Sequence, residues 1–230
     1  MKRIKLIFTI ALCIFFITSI RAQVIQRMIV HKDGGILYSA ILTASDSIIF
    51  TIRPPDIEEG IEINGVTWAK SNVNAPGTFA KYPYETGMFY QWNRPIGWSS
   101  TDPMENHQGG TTWDSSPPEG DSWTNNVCPK GWRVPTRNEC MSLITSTSTW
   151  GELNDISGRF FGDDDEKLFL PAPGVRMFSN GALNLPNFGY YWSSNRHSDP
   201  YAYYMYFNNG NFSVDPQSPA FGFTIRCVLE

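Results

Sequence analysis

Cys128-Pro129-Lys130-Gly131-Trp132-Arg133-Val134-Pro135-Thr136-Arg137-Asn138-Glu139 joins a cysteine, a turn, a tryptophan of buried type and a helix start in one short run. Thr136 and Glu139 stand in the S/T-x-x-E spacing of a capping box, in which each side chain satisfies a backbone N–H at the other end of the first turn. A helix is therefore expected to start here and to run over about residues 136 to 147. Cys140, Leu143 and Ile144 follow at i, i+3 and i+4, which gives that helix one narrow apolar stripe facing a core. The Ser/Thr run Thr145 to Thr149 ends it.

Two more motifs lie downstream in a fixed order, Gly189-Tyr190-Tyr191-Trp192-Ser193-Ser194 and Ile225-Arg226-Cys227-Val228. With Cys-Pro-x-Gly-Trp-Arg-x-Pro-Thr-x-x-Glu ahead of them, roughly residues 60 to 230 resemble the Fibrobacter succinogenes major paralogous domain, common in secreted proteins of Bacteroidetes. The resemblance implies an α+β, C-type-lectin-like domain with short antiparallel strands, one main helix and long loops, more distantly similar to formylglycine-generating enzymes. It implies a fold more than a ligand.

Upstream, Lys2, Arg3 and Lys5 precede an apolar run from Leu6 to Ile20, and Ala22 offers a cleavage position, so residues 1 to 22 read as a signal peptide. The run falls short of the ~20 residues needed to span a bilayer, so no membrane anchor is expected after cleavage. Cys13 lies inside the apolar run rather than at its end, which argues against lipidation. The expected location is periplasmic, extracellular or cell-surface. Residues 23 to 56 read as a small β leader of three runs, around Ile25 to Val30, Ile36 to Leu42 and Ser47 to Ile52, and 57 to 60 as a linker.

The chain has 230 residues, 41% of them hydrophobic, and a formal net charge of -4, which allows a sizeable core and argues against a nucleic-acid partner. Beyond the signal, Cys128, Cys140 and Cys227 leave one pair and one free thiol. In the closing strand Phe223, Ile225, Cys227 and Leu229 share one face and Thr224, Arg226 and Val228 the other, so Cys227 points inward. Cys128–Cys227 is the favoured pair; Cys128–Cys140 is the alternative, disfavoured because Cys140 already serves the helix stripe.

Three groups of residues carry the binding expectation. The first is Asn93 to Asn126, a Gly/Pro/Ser/Asn-rich excursion holding Trp98, Trp113 and Trp123, which is either an aromatic surface for a ligand or a loop pinned by its tryptophans. The second is the stretch from Trp192 through the predicted hairpin Tyr201–Val214, with Tyr201, Tyr203, Tyr204, Tyr206, Asn208, Asn209 and Asn211. Tyr, Asn and Ser recur in antibody paratopes because tyrosine gives contact area at low entropy cost while amides adapt their hydrogen bonds. Alternation there predicts one row in the core and the other exposed. The third, Asp163-Asp164-Asp165-Glu166, could supply oxygen to calcium, although it lacks the Asp-x-Asp-x-Asp spacing of an EF-hand loop and reads first as a solvated turn.

Catalytic patterns are missing from the sequence: His31, His107 and His197 are isolated, and neither a His-Glu-x-x-His run nor a Gly-x-Ser-x-Gly elbow occurs. The formylglycine-generating relatives need a reactive or metal-binding cysteine pair, which the expected disulfide would consume. The sequence therefore points to a non-enzymatic binding module for a glycan or protein on another cell or matrix, without a cofactor. A structural or tip subunit of a surface appendage is the alternative.

Overall fold

The computed structural model describes residues 26–32, 35–42, 60–118, 120–163, 167–198 and 200–230, and the chain divides into two compact units, Met1–Arg53 and Pro54–Glu230. In the first unit, β1 (Gln26–Lys32) and β2 (Gly35–Leu42) form an antiparallel hairpin with a register shift between Val30 and His31. The expected third run and the signal segment lie outside the described residues.

The second unit starts with the hairpin that Asn64-Gly65 encodes. β3 (Gly60–Ile63) and β4 (Val66–Ala69) pair across that dipeptide, whose φ values of 52° and 77° are those of a tight turn with both central residues left-handed. Gly60, read from sequence as linker, already belongs to β3. The last strand, β16 (Val228–Leu229), pairs with β4 on one side and with β7 (Trp132–Arg133) on the other, giving a four-stranded sheet in the order β3-β4-β16-β7. The start of this unit, its end and the segment after Cys128 thus meet in one sheet. Cys128 and Cys227 are disulfide-bonded beside it, and Cys140 is the buried free thiol.

The helix α1 (Arg137–Ile144) is capped as its sequence prescribes. Thr136 Oγ1 accepts from Glu139 N at 3.2 Å, Glu139 Oε2 accepts from Thr136 N at 2.7 Å, and Arg133 donates to the Glu139 carboxylate at 2.8 and 2.6 Å. Cys140, Leu143 and Ile144 are buried on its inner side. It stops at Thr145, before the expected 147, because Thr145 and Ser146 turn their hydroxyls back onto Ser142 O and Leu143 O.

After the helix come β8 (Ser148–Leu153), β9 (Ile156–Phe161) and β10 (Leu168–Pro171), an antiparallel sheet in the order β10-β9-β8. The β8–β9 turn is Asn154-Asp155, both at positive φ, a turn type that short polar side chains tolerate. β13 (Gly189–Ser198), β14 (Tyr201–Phe207) and β15 (Phe212–Gln217) form a meander against which α1 packs. Short pairs, β5 (Phe89–Tyr90) with β6 (Gly97–Trp98) and β11 (Val175–Arg176) with β12 (Leu183–Asn184), complete the domain.

These elements correct the α+β, C-type-lectin-like expectation. The domain is mostly β, built of several small antiparallel sheets of at most four strands, with one helix of eight residues among the described residues. The physical reason lies in residues 145 to 161: Ser and Thr end the helix within about two turns, and Asn154-Asp155 folds the strands on either side of it into a hairpin. Among the described residues no helix is long and apolar enough to cross a membrane.

Two clusters make the core. One gathers Trp92, Trp132, Trp192, Phe223 and the disulfide; the other gathers Trp68, Cys140, Leu143, Phe161, Tyr191, Met205 and Phe207. The β13–β15 sheet contributes residues to both, so each of its faces is buried in part. That corrects the expectation of one core row and one exposed row in β14: Ala202 and Tyr204 join the first cluster, while Met205 and Phe207 join the second.

Loss of the disulfide should cost much of the domain's stability. Replacing both Cys128 and Cys227 by Ala is expected to lower the urea midpoint by an amount equivalent to up to about 4.7 kcal/mol, since the bond spans 99 residues of sequence. An unchanged midpoint would refute the closure as a stabilising element. Burial pushes the Cys140 thiol far above its ordinary value, so a thiol reagent should label it only after denaturation.

Candidate functional site

The face that β8 and β9 turn toward the β14–β15 connection is set by register. Trp150 lies opposite Arg159 and Glu152 opposite Ser157, so all four share one face of the hairpin. Arg159, only 5% exposed, reaches from there with a planar fork: it donates to Ser148 Oγ at 2.8 Å, to Asn208 O at 3.1 Å and to Asn209 O at 3.3 Å, and its guanidinium lies 5.1 Å from the Phe212 ring centroid. Burial lowers its pKa from the ordinary arginine value. One buried cation therefore ties the turn at residues 208 to 211 to the hairpin.

Asn208 shapes that turn from inside. Its side-chain oxygen accepts from Gly210 N at 2.8 Å and Asn211 N at 2.7 Å, and its amide nitrogen donates to the Tyr206 hydroxyl at 2.6 Å. Its polar atoms are thus engaged, whereas Asn209 and Asn211 are exposed. From a third segment Asn187, left-handed at φ 67°, and Phe188 come alongside. Trp150, Ser157, Asn187, Phe188 and residues 208–211 line an open cleft of about 590 Å³. Its lining side chains are uncharged, and Glu152, on the same face of the hairpin, accepts from Ser157 Oγ at 3.3 Å.

Beside the cleft the aromatic rings continue. Phe188 stacks on Tyr206 with centroids 6.0 Å apart, Tyr206 meets Tyr190 at 5.4 Å, and Tyr190 stacks on Tyr204 at 5.8 Å. Buried Phe223 supports Tyr190 and Tyr204 from beneath at 5.1 and 5.0 Å. Burial pushes the pKa of Tyr190 up to about 12 and, with help from nearby Asp215, that of Tyr204 to about 12.

Of the residues selected from sequence, the structure brings Asn208, Asn209 and Asn211 to the cleft and Tyr204 and Tyr206 to the adjoining rings. It places the tryptophans elsewhere. Trp192 is fully buried and donates to Tyr90 O at 2.7 Å, and Trp98 is 3% exposed against Trp113. Trp113 donates to Phe178 O at 2.9 Å, and Trp123 packs edge-on against Trp92. Trp98, Trp113 and Trp123 pin the excursion to the core, and Trp192 is part of that core. Tyr203 sits apart, between the Arg137 guanidinium at 4.7 Å and the His197 ring at 5.1 Å, and Tyr201 is exposed near the β13–β14 turn. Asp163 is exposed, and Asp164, Asp165 and Glu166 lie outside the described residues, among which no His/Cys/Asp/Glu cluster is placed to hold a metal ion. Sequence reading passed over Trp150, Asn187 and Phe188. The Asn154-Asp155 turn signal, once taken as a hairpin, would have set Trp150 on a strand.

The raised tyrosine pKa values give a pH test. A phenol held above its unfolded value of 10.0 adds stability that is complete below pH 10 and is lost as pH rises towards 12. Thermal melting is expected to be level below pH 10 and to fall between pH 10 and 12, with a smaller fall in a Tyr190→Phe, Tyr204→Phe variant; equal alkaline sensitivity of the two proteins would refute it.

No curated protein and no solved structure matches the chain. A family model described as the Lcl C-terminal domain matches residues 62–229, from within β3 to the end of β16 and so the whole second unit bar its edges. The chain belongs to the Lcl C-terminal domain family, which is the Fibrobacter major paralogous domain family that its Cys128, Gly189 and Ile225 motifs resemble.

Proposed function

We propose that this chain is a secreted or cell-surface, non-enzymatic binding module that takes a carbohydrate in the cleft between the β8–β9 hairpin and the β14–β15 turn. The observation that carries the reading is the meeting of Trp150 and Phe188 with Asn187, Asn209 and Asn211 around one uncharged cleft. A pyranose offers an apolar C–H face and a rim of hydroxyls; aromatic rings suit the first, and amides, which both donate and accept, suit the second. The cleft's size lies within the ~300–1,000 Å³ of small-molecule sites. Arg159 and Asn208 fix the turn beforehand, which lowers the ordering cost of binding.

Glycoside hydrolysis needs two carboxylates flanking the scissile bond, and the side chains that line the cleft include none. Chemistry of the formylglycine-generating type would need cysteines, and Cys128 and Cys227 are joined to each other. The appendage-subunit reading draws less support, because the edge strand β15 carries Asp215 and Pro216, residues that hinder strand addition.

A glycan array probed with the secreted protein, in calcium and again in chelator, tests this reading. Signal on a defined glycan class is expected in both conditions, falling about tenfold, or ~1.4 kcal/mol, in Trp150→Ala and in Asn209→Ala. Signal abolished by chelator would return the acidic run Asp163–Glu166 to the site, and silence in both would overturn the carbohydrate reading.

A further inference from the structure

We infer that the cleft is one end of a longer site, in which a belt of aromatic rings across β13 and β14 takes successive residues of an extended, uncharged polysaccharide. The inference rests on the carbohydrate reading and adds the ligand's length and charge. Phe188 is at once a wall of the cleft and the first ring of the belt, stacked on Tyr206, which is followed by Tyr190 and Tyr204. These four rings are partly exposed, and because Phe188 stacks on Tyr206 and Tyr190 on Tyr204, the belt offers a ligand a row of ring edges and phenol groups. Further along, half-buried Phe221 lies 5.6 Å from the shared support Phe223, and Phe178, 44% exposed, lies 5.0 Å from Phe221.

Two features make the belt a prepared surface rather than loose aromatic cover. Phe223, 1% exposed, underlies Tyr190, Tyr204 and Phe221 together, so their orientations are set before a ligand arrives. The Tyr206 hydroxyl is held by Asn208, the residue that also shapes the cleft's turn, so belt and cleft are positioned by one side chain.

Charge decides the class of polymer. The cleft lining and the six rings are uncharged, and the charged group beside the belt is Asp215, opposite Tyr204 in register and hydrogen-bonded by Ser213. A sulfated or uronic chain would bring anions towards Asp215 in a protein of net charge -4, while the Arg159 cation behind the turn is 5% exposed and already donates to Ser148 Oγ, Asn208 O and Asn209 O. A neutral chain meets no such penalty.

Calorimetric titration with cello-, xylo- and manno-oligosaccharides, dimers through hexamers, tests the inference, with heparin as the charged comparator. Affinity in the preferred series is expected to rise about tenfold or more, ~1.4 kcal/mol, from dimer to hexamer. Phe178→Ala, at the far end, should remove part of that gain and leave dimer affinity unchanged, whereas Trp150→Ala should weaken dimer and hexamer alike. The Phe178 ring is exposed enough that its removal leaves the fold intact, which a melting curve checks. A hexamer that binds no tighter than the dimer, or a hexamer affinity untouched by Phe178→Ala, overturns the belt while the cleft stands. Heparin binding tighter than every neutral hexamer overturns the charge class. No binding to any neutral oligosaccharide, with none on the array, overturns cleft and belt together.

Discussion

The segment Gly222–Val228 is buried along nearly its whole length and is bonded to five separate parts of the domain. Gly222 exchanges backbone hydrogen bonds with Arg176 and Phe223 with Tyr90, Thr224 N donates to Tyr190 O, Ile225 O accepts from Val73 N and Cys227 O from Ala69 N, and Val228 faces Arg133 in register. Cys227 adds the covalent bond to Cys128. Arg226, with no exposed surface, donates to the carbonyls of Ala69 and Lys70 and to Asn72 Oδ1, so its charge enters the core with oxygen acceptors around it. Because most of the sheets are two or three strands wide, none could bury much alone; this buried segment ties them together.

Everything at the site depends on that tie. Phe223, from the same segment, is the floor on which Tyr190 and Tyr204 rest. Tyr191, on the opposite face of β13, donates to Pro171 O at 2.7 Å and receives Asn72 Nδ2 at 3.3 Å, which locks the meander to the β10 end and to the Arg226 network. With the meander fixed, the β14–β15 turn lies beside the β8–β9 hairpin, and Arg159 joins the two. A single arginine suits the task, since its planar fork satisfies a hydroxyl and two carbonyls at once while its face covers Phe212. Arg176 does the same elsewhere, binding Ser99 O, Thr101 O and Gly181 O, and so holds the excursion's near end against β11.

Local signals were legible wherever a few neighbouring residues settle the conformation. The Thr136–Glu139 capping box and the inward Cys227 stand as read, and the Asn64-Gly65 hairpin is a signal of the same local kind. The class of fold was not legible in the same way. One well-marked helix and a family resemblance suggested α+β, while the balance of strands depended on pairs as short as two residues, which carry almost no periodicity of their own. The tryptophans misled for a related reason: a tryptophan in a polar loop looks the same in sequence whether its ring faces water or Trp92, and only the packing partner distinguishes Trp123 from a ligand contact.

The sequence by itself determined the caps, turns, cysteine pairing and composition of this domain, because those depend on side chains within a turn of one another or on chemistry that only a few residues possess. Tertiary structure alone decided that the β13–β15 meander would give residues to both core clusters, that Thr224 and Arg226 would be as buried as Ile225 and Cys227, and that Trp150, Asn187 and Asn209 would meet. Those outcomes require contacts between residues tens of positions apart, and the free energy that fixes them belongs to the shared core rather than to any stretch of chain that can be read alone.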